Sequence, residues 1–391
     1  MKLTAMIIAA AVSLAVFSAD VPGDSLLEEE KPYSVTTELS ECDAVSAAVY
    51  EPASESFIYT YNADEKRPVG HLAKLMTYLI AAEMIDRGEL SLDDTATVSA
   101  KANSMEGAQI WLDTGEVITT DELLRSISVG NANDACVALA ERIAGSEEEF
   151  VTLMNNKAAS LGMNSTHFAD STGLSKETVS TVKDIVLLEA ELCRYDELTA
   201  PFRVWMDSVR GGKAELVTQN RLVRSCKGII GFKVCSLDTS GECAAIAIER
   251  NSRTLCSVML GVKNDLEAEC EAKDLIETAF AQTELYYPSV PEDSLDLLPV
   301  KHGEKQECPI MADKLKGITL RTEEKGSVTC RVALPSALNS PVRKGETIGS
   351  LTFYVSDSYA GTVDIKSCDD IESISFGSAF KKILGNLLKM S

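Results

Sequence analysis

Between Leu72 and Ile85 the chain is almost wholly apolar, interrupted by Lys74 and Glu83, with Leu75-Met76-Thr77-Tyr78-Leu79-Ile80-Ala81-Ala82 at its centre. A run of that length and polarity predicts a helix buried in the middle of a domain, with Gly88 marking its exit. Strand signals lie on both sides of it. Ala47 to Tyr61 reads as a strand hairpin, and Glu242 to Ile248 and Thr254 to Val262 read as β-rich runs parted by Arg250-Asn251-Ser252. Asp121 to Ser128, Asn133 to Ile143 with Gly145 as its stop, and Leu266 to Ala281 read as further helices. This mixture predicts an α+β domain built around the apolar helix.

Pro288 and Pro291, with Glu292-Asp293, mark a linker, and beyond it the pattern changes to short alternating strands. Val328, Cys330, Val332 and Leu334 alternate with Thr329, Arg331 and Ala333, and Leu351 to Val355 and Val363 to Ile365 repeat the style. A small all-β domain follows from that spacing. At the extreme C-terminus Phe376, Phe380, Ile383, Leu384 and Leu387 recur at helical spacing, accompanied by Lys381, Lys382 and Lys389. A basic amphipathic end on an acidic protein suits a helix lying in an anionic membrane surface. Docking on the apolar face of the β domain is the alternative.

The formal charge of −23 excludes a nucleic-acid footprint, which must be basic. Lys2 followed by the apolar Leu3 to Phe17 and the small residues Ser18 and Ala19 reads as a secretory signal, with an uncleaved anchor as the alternative. Val21 to Glu41 is polar and acidic, a flexible lead-in. The eleven cysteines include no C-x-x-C pair, and His71, His167 and His302 are far apart in sequence, so no metal and no cofactor is expected. Most of these cysteines are expected to be small buried hydrophobes.

The segment Arg67-Pro68-Val69-Gly70-His71-Leu72-Ala73-Lys74-Leu75-Met76-Thr77 carries the resemblance that bears most on the chain's chemistry. Further pieces are Ser104-Met105-Glu106-Gly107-Ala108-Gln109-Ile110-Trp111-Leu112, Asn133 to Glu141, Leu161 to Phe168 and Asn220-Arg221-Leu222-Val223-Arg224. Together they resemble serine D-alanyl-D-alanine carboxypeptidases, the low-molecular-mass penicillin-binding proteins, and especially their sporulation-type relatives. The resemblance covers nearly the whole mature chain from about Asp43. It implies a penicillin-binding, transpeptidase-like domain with an antiparallel sheet flanked by helices, then the small β domain and the amphipathic helix. The implied divisions are 1–19 signal, 20–42 lead-in, 43–285 carboxypeptidase-like domain, 286–372 β domain and 373–391 membrane-association helix.

In that family the first motif is Ser-x-x-Lys, the second Ser-x-Asn and the third Lys-Thr-Gly. Here they read His71…Lys74, Asn131-Ala132-Asn133 and Lys233-Val234-Cys235. His71 replaces the nucleophile, and its ring nitrogens sit farther from the backbone than a serine oxygen, off the position that the oxyanion hole fixes. The Asn131 carboxamide cannot relay protons as a serine hydroxyl does. Val234 lacks the hydroxyl, and Cys235 adds a side chain where glycine permits close approach. Two other Ser-x-x-Lys strings, Ser180 to Lys183 and Ser378 to Lys381, lack family context; Ser180 stands where a helix N-cap belongs and Ser378 in the tail. The retained Lys74, Asn133 and Lys233 are either structural or the remnant of a pocket for an anionic end group. Cys235 shares a strand face with Lys233, which makes it either a reactive thiolate beside ammonium groups or a buried, inert thiol.

The sequence therefore predicts an exported protein, peripheral to the outer face of the cytoplasmic membrane, lacking carboxypeptidase activity. Its expected role is binding or scaffolding in the cell wall, with a peptidoglycan stem peptide or an envelope protein as partner. The competing reading is an active D-Ala-D-Ala carboxypeptidase using an atypical route, and a third is a structural module with a filled cleft.

Overall fold

The computed structural model describes residues 13–15, 32–35, 44–237, 241–262, 268–288, 297–313, 316–377 and 380 of the 391-residue chain. Contacts divide the chain into two units: Val35–Gln282, and Met1–Ser34 together with Thr283–Ser391.

The first unit opens with the hairpin β1 (Ser46–Glu51) and β2 (Ser56–Tyr61), followed by α1 (Lys74–Asp86), which a 3₁₀ turn at Gly70–Ala73 leads into. Then come α2 (Thr120–Ser128), α3 (Asn133–Ala144), α4 (Val182–Leu192), β3 (Ile229–Leu237), β4 (Gly241–Arg250), β5 (Arg253–Val262) and α5 (Ala268–Gln282). The five strands form one antiparallel sheet in the order β3-β4-β5-β1-β2, so β3 is an edge. Asn251 and Ser252 both take positive φ, 50° and 63°, the left-handed pair that closes a tight hairpin between β4 and β5.

The residues of α1 are buried without a break from Lys74 to Ala82, as the apolar run requires. One sheet face, including Ala245, Ala247, Val258 and Leu260, joins α1, α3 and α4 in a single apolar core. Strand alternation turns Ala244, Ile246 and Ile248 the other way, where they are also buried and α5 packs on β4 and β5. The helix ends follow their local chemistry. The Thr119 hydroxyl accepts from the Glu122 N–H at the start of α2, and Gly145 ends α3 at φ 84°.

One expected cap is displaced. Ser180 lies in the short strand Val179–Ser180, paired opposite Arg67, and Thr181 instead caps α4 by accepting from the Asp184 N–H. Two hydroxyl residues precede that helix, and the extended pairing of the first leaves the capping position to the second. Lys183 turns away to Asp64 at 2.8 Å, so Ser180 and Lys183 form no catalytic pair.

In the second unit, Val328–Ala333, Thr347–Val355, Ser358–Ser367, Glu307–Ala312, Leu297–Lys301 and Leu338–Asn339 follow one another across a mixed sheet, with Ser13–Ala15 as a parallel edge beside Val328–Ala333. Thr283–Tyr286 pairs separately with Ile318–Arg321. Cys330, Leu351, Phe353, Val355 and Ile365 are among the residues of its own apolar core. Within the expected lead-in, the Tyr33 N–H donates to Tyr359 O at 2.6 Å. Of the expected C-terminal helix, residues 373–377 and 380 are described, Phe376 and Phe380 among them. Their rings stack at 6.5 Å and both are exposed, Phe376 to 89%. Lys381, Lys382, Ile383, Leu384, Leu387, Lys389 and Ser378 lie outside the described residues, as does most of the expected signal. No helix among the described residues is long and apolar enough to cross a membrane.

Candidate functional site

The three motif segments meet where the 3₁₀ turn enters α1, where the turn after α2 leads into α3, and along β3. Helical geometry places His71 and Lys74 three residues apart on one face. Lys74 Nζ lies 2.6 Å from His71 Nδ1 and its side chain is 0% exposed. Burial lowers the Lys74 ammonium to about 8. Burial, and then the charge of Lys74, lower the His71 imidazole to about 4, so the ring is neutral at pH 7. A neutral imidazole has one lone pair, and the short contact makes Nδ1 the acceptor for Lys74 and Nε2 the protonated nitrogen. The Thr172 carbonyl, 3.3 Å from Nδ1, is the weaker contact.

Lys233 is 3% exposed. Its ammonium donates to the Ile127 carbonyl and to Asn131 Oδ1, the latter at 3.1 Å. Burial first, and then the charge of Lys74, lower it to about 7. Asn131 sits at φ 56°, a left-handed position that asparagine tolerates. The second-motif residue thus holds Lys233 through a carbonyl oxygen and offers it no exchangeable hydroxyl. Asn133 is 0% exposed, and its Nδ2 donates to Glu106 O at 2.5 Å, tying the Ser104–Leu112 loop to the start of α3. The Asn133 N–H donates to Ala108 O at 2.7 Å, while Asn133 Oδ1 is buried with no hydrogen-bond partner.

Gly107 lies against this asparagine at φ 80°, where an added Cβ would stand 2.9 Å from Nδ2. Gly107→Ala is expected to cost more than about 1 kcal/mol in urea unfolding, from the left-handed backbone and the displaced amide. An unchanged midpoint would show that the loop is not held through Asn133.

Val234 is half-buried in β3 and faces the opposite way from Lys233 and Cys235. Cys235 is 2% exposed and sits directly across from Cys243 on β4. The hydrogen bond to Cys243, followed by burial, pushes the Cys235 thiol well up, against the pull of Lys74 and Lys233. The reactive-thiolate alternative for Cys235 therefore gives way to the buried thiol: strand periodicity sets the face, and depth sets the chemistry. Six other cysteines are buried too: Cys136, Cys226, Cys243, Cys256, Cys308 and Cys330.

A shallow, open crevice remains along β3, lined among others by Asn131, Thr218, Asn220, Phe232, Lys233 and Val234. His71 and Lys74 are not on its wall. Asn220 Oδ1 accepts from the Leu222 N–H at 3.1 Å, and Asn220 Nδ2 is buried without a partner.

A loop not singled out in the sequence organises the nucleophile position. The Asp170 carboxylate accepts from the N–H groups of Gly173, Leu174 and Ser175 and from the hydroxyls of Thr172 and Thr178. That loop brings the Thr172 carbonyl to His71 and Gly173 onto Gly70, where an added Cβ would lie 1.8 Å from the Gly70 carbonyl oxygen. Thr77 on α1 donates to Ser171 O at 2.7 Å and locks the two together. The signal was the string Asp170-Ser171-Thr172-Gly173, a set of residues that favours side-chain-to-backbone turns.

Residues 33–264 match the peptidase S11 family, described as D-alanyl-D-alanine carboxypeptidase. The chain belongs to the D-alanyl-D-alanine carboxypeptidase family. Residues 290–373 match the C-terminal domain of penicillin-binding protein 5. Among curated relatives, the D-alanyl-D-alanine carboxypeptidase DacF of Bacillus subtilis is 28% identical over 90% of this chain and 92% of its own length. DacC of Escherichia coli is 26% identical over 81% of this chain and 82% of its own. Penicillin-binding protein 5 of Haemophilus influenzae superposes with a TM-score of 0.79 at 22% identity, over 86% of this chain and 100% of that one, a likeness of fold. The carboxypeptidase-family chain thus has the penicillin-binding fold with helices and sheets, followed by an all-β domain.

Proposed function

We propose that this family member is a catalytically inactive homologue of the cell envelope that binds peptidoglycan stem peptides. The observation that carries the reading is the 2.6 Å contact between His71 Nδ1 and Lys74 Nζ, at the position where the chemistry needs a free hydroxyl. The residue there offers no oxygen, and the only lone pair of its neutral ring is engaged. Binding is supported by what persists in the cleft: the Lys233 ammonium and the unpartnered Asn220 amide donor. A peptide ending in a carboxylate brings acceptors for both, and a buried donor without a partner gains most from a ligand that satisfies it.

Calorimetric titration with a pentapeptide ending in D-Ala-D-Ala tests this. Saturable binding is expected, weakened about tenfold or more in Asn220→Ala, without release of D-alanine. No binding to the peptide or to sedimented peptidoglycan would overturn the reading and favour a structural module or an envelope-protein partner. Release of D-alanine would favour the atypical enzyme.

The proposal extends to the ends of the chain. Residues 1–19 act as an export signal, and Ser375 to Ser391 form an interfacial helix that holds the protein on the outer face of the cytoplasmic membrane. The exposed Phe376 and Phe380, followed by Lys381, Lys382 and Lys389 with no acidic residue among them, support it. Partition onto anionic vesicles is expected to weaken with salt and to be lost in a chain ending before Ser375. Equal partition of the shortened chain would place the anchor elsewhere.

A further inference from the structure

Away from this site, α4 lies over β5 and brings two thiols together. Cys193 is the C-terminal cap residue of α4, and Cys256 lies in β5 opposite Tyr50. Their sulfurs are 3.9 Å apart. Cys193 is half-buried, whereas Cys256 is fully buried. One turn before Cys193, Glu189 is also fully buried, and neither of its carboxyl oxygens has a hydrogen-bond partner. Burial holds that carboxyl well above the usual range. Burial thus favours its uncharged form, which adds no negative charge to oppose a thiolate beside it. We propose that Cys193 and Cys256 are a disulfide-forming pair, a modification site that ties the end of α4 to β5.

The geometry supplies what such a site needs. The sulfurs already touch, and closing the bond brings them to about 2.05 Å. That step is within reach of side-chain rotation and a small adjustment at the end of the helix, where backbone hydrogen bonding is already incomplete. Access is one-sided. Cys193 meets the oxidant, and Cys256, shielded from solvent, resolves the adduct. With oxidised glutathione as the oxidant, the Cys193 thiolate attacks one glutathione sulfur, forming a mixed disulfide and releasing one glutathione thiol. Cys256 then attacks the Cys193 sulfur, and its proton leaves with the second glutathione thiol. Two protein thiols are oxidised, and one glutathione disulfide is reduced to two thiols. The Cys235–Cys243 pair across β3 and β4 has similar proximity, but both of its members are buried, so no reagent reaches either first.

The test is to incubate the full folded chain with oxidised glutathione at pH 8, then denature it, block remaining thiols with N-ethylmaleimide, and map peptides by mass spectrometry. A cross-linked peptide joining Cys193 and Cys256 is expected, with Cys235 and Cys243 still blocked as thiols. Cys193→Ser should abolish the cross-link. Oxidation should raise the wild-type unfolding midpoint by roughly 5–10 °C, because the bond closes a long loop in the unfolded chain. Recovery of both cysteines as blocked thiols, or of glutathione on Cys193 with Cys256 untouched, would overturn the proposal. Because the decisive readout is made on the wild-type chain, it does not depend on whether the serine variant folds.

Discussion

Fluorescent penicillin is expected to leave no denaturation-resistant label on this chain, and a D-Ala-D-Ala peptide is expected to release no D-alanine. Acyl transfer in a serine enzyme passes through an ester on the nucleophile oxygen. At residue 71 the neutral ring gives its one lone pair to Lys74 at 2.6 Å and presents N–H at its other nitrogen. In another serine hydrolase, loss of the nucleophile alone costs about 10⁶-fold in turnover, and losses of its partners add little because the group acts as a unit. The same non-additivity governs repair. His71→Ser alone should stay silent, since Asn131 still binds Lys233 through a carbonyl oxygen and Val234 still has no hydroxyl. Adding Asn131→Ser, Val234→Thr and Cys235→Gly restores each missing group, and labelling is expected to appear, if at all, only in that combination. Saturable labelling of the wild-type chain, surviving denaturation, would falsify the inactive reading.

Much of this architecture was legible because it rests on local pattern. The apolar run from Leu72 to Ile85 required burial wherever it lay, and Lys74 to Ala82 are buried without a break. Gly145 at φ 84° and the Asn251-Ser252 turn follow from backbone sterics that the residue types announce. What could not be read depends on contacts between distant segments. Asp170 orders a loop that reaches the first motif only after the chain has folded, joining residues about a hundred positions apart. Ser180 was the expected cap, and strand pairing claimed it, leaving the capping position to Thr181. Alternation placed Cys235 on the face of Lys233 but gave no depth, and depth makes it a protonated thiol. Nor did the motif spacing show that the surviving cleft runs beside Lys233 and leaves His71 off its wall.

From pH 6 to pH 8 the two retained lysines are expected to add stability to the folded chain as the pH rises, against the opposite contribution of the buried Glu189 carboxyl. Lys74 and Lys233 are lowered by burial to about 8 and about 7, whereas in the unfolded chain each stays near the ordinary lysine value of about 10.4. A base with a depressed folded value binds fewer protons when folded, so stability rises with pH through the folded values and is lowest below both. At pH 6 each lysine costs on the order of 3 kcal/mol, less than additively because the two charges repel each other. From about pH 8 the cysteines of the unfolded chain ionise, near their ordinary value of about 8.5, while buried ones stay protonated, and this ends the rise. Urea midpoints of the wild type and the lysine variants, measured from pH 6 to 8, read this contribution as their difference. Lys74→Met should flatten the slope and raise the midpoint at pH 6, although His71 Nδ1 loses its donor. Lys233→Met should do so by less, because Ile127 O and Asn131 Oδ1 lose their donor. Methionine variants that keep the wild-type slope from pH 6 to 8, or that are less stable than the wild type at pH 6, would make these lysines structural. The expected result instead describes two buried charges kept at a cost, and a bound carboxylate beside Lys233 would offset part of the cost of that one. A D-Ala-D-Ala pentapeptide should therefore stabilise the wild-type chain more at pH 6 than at pH 9, and the Lys233→Met variant at neither.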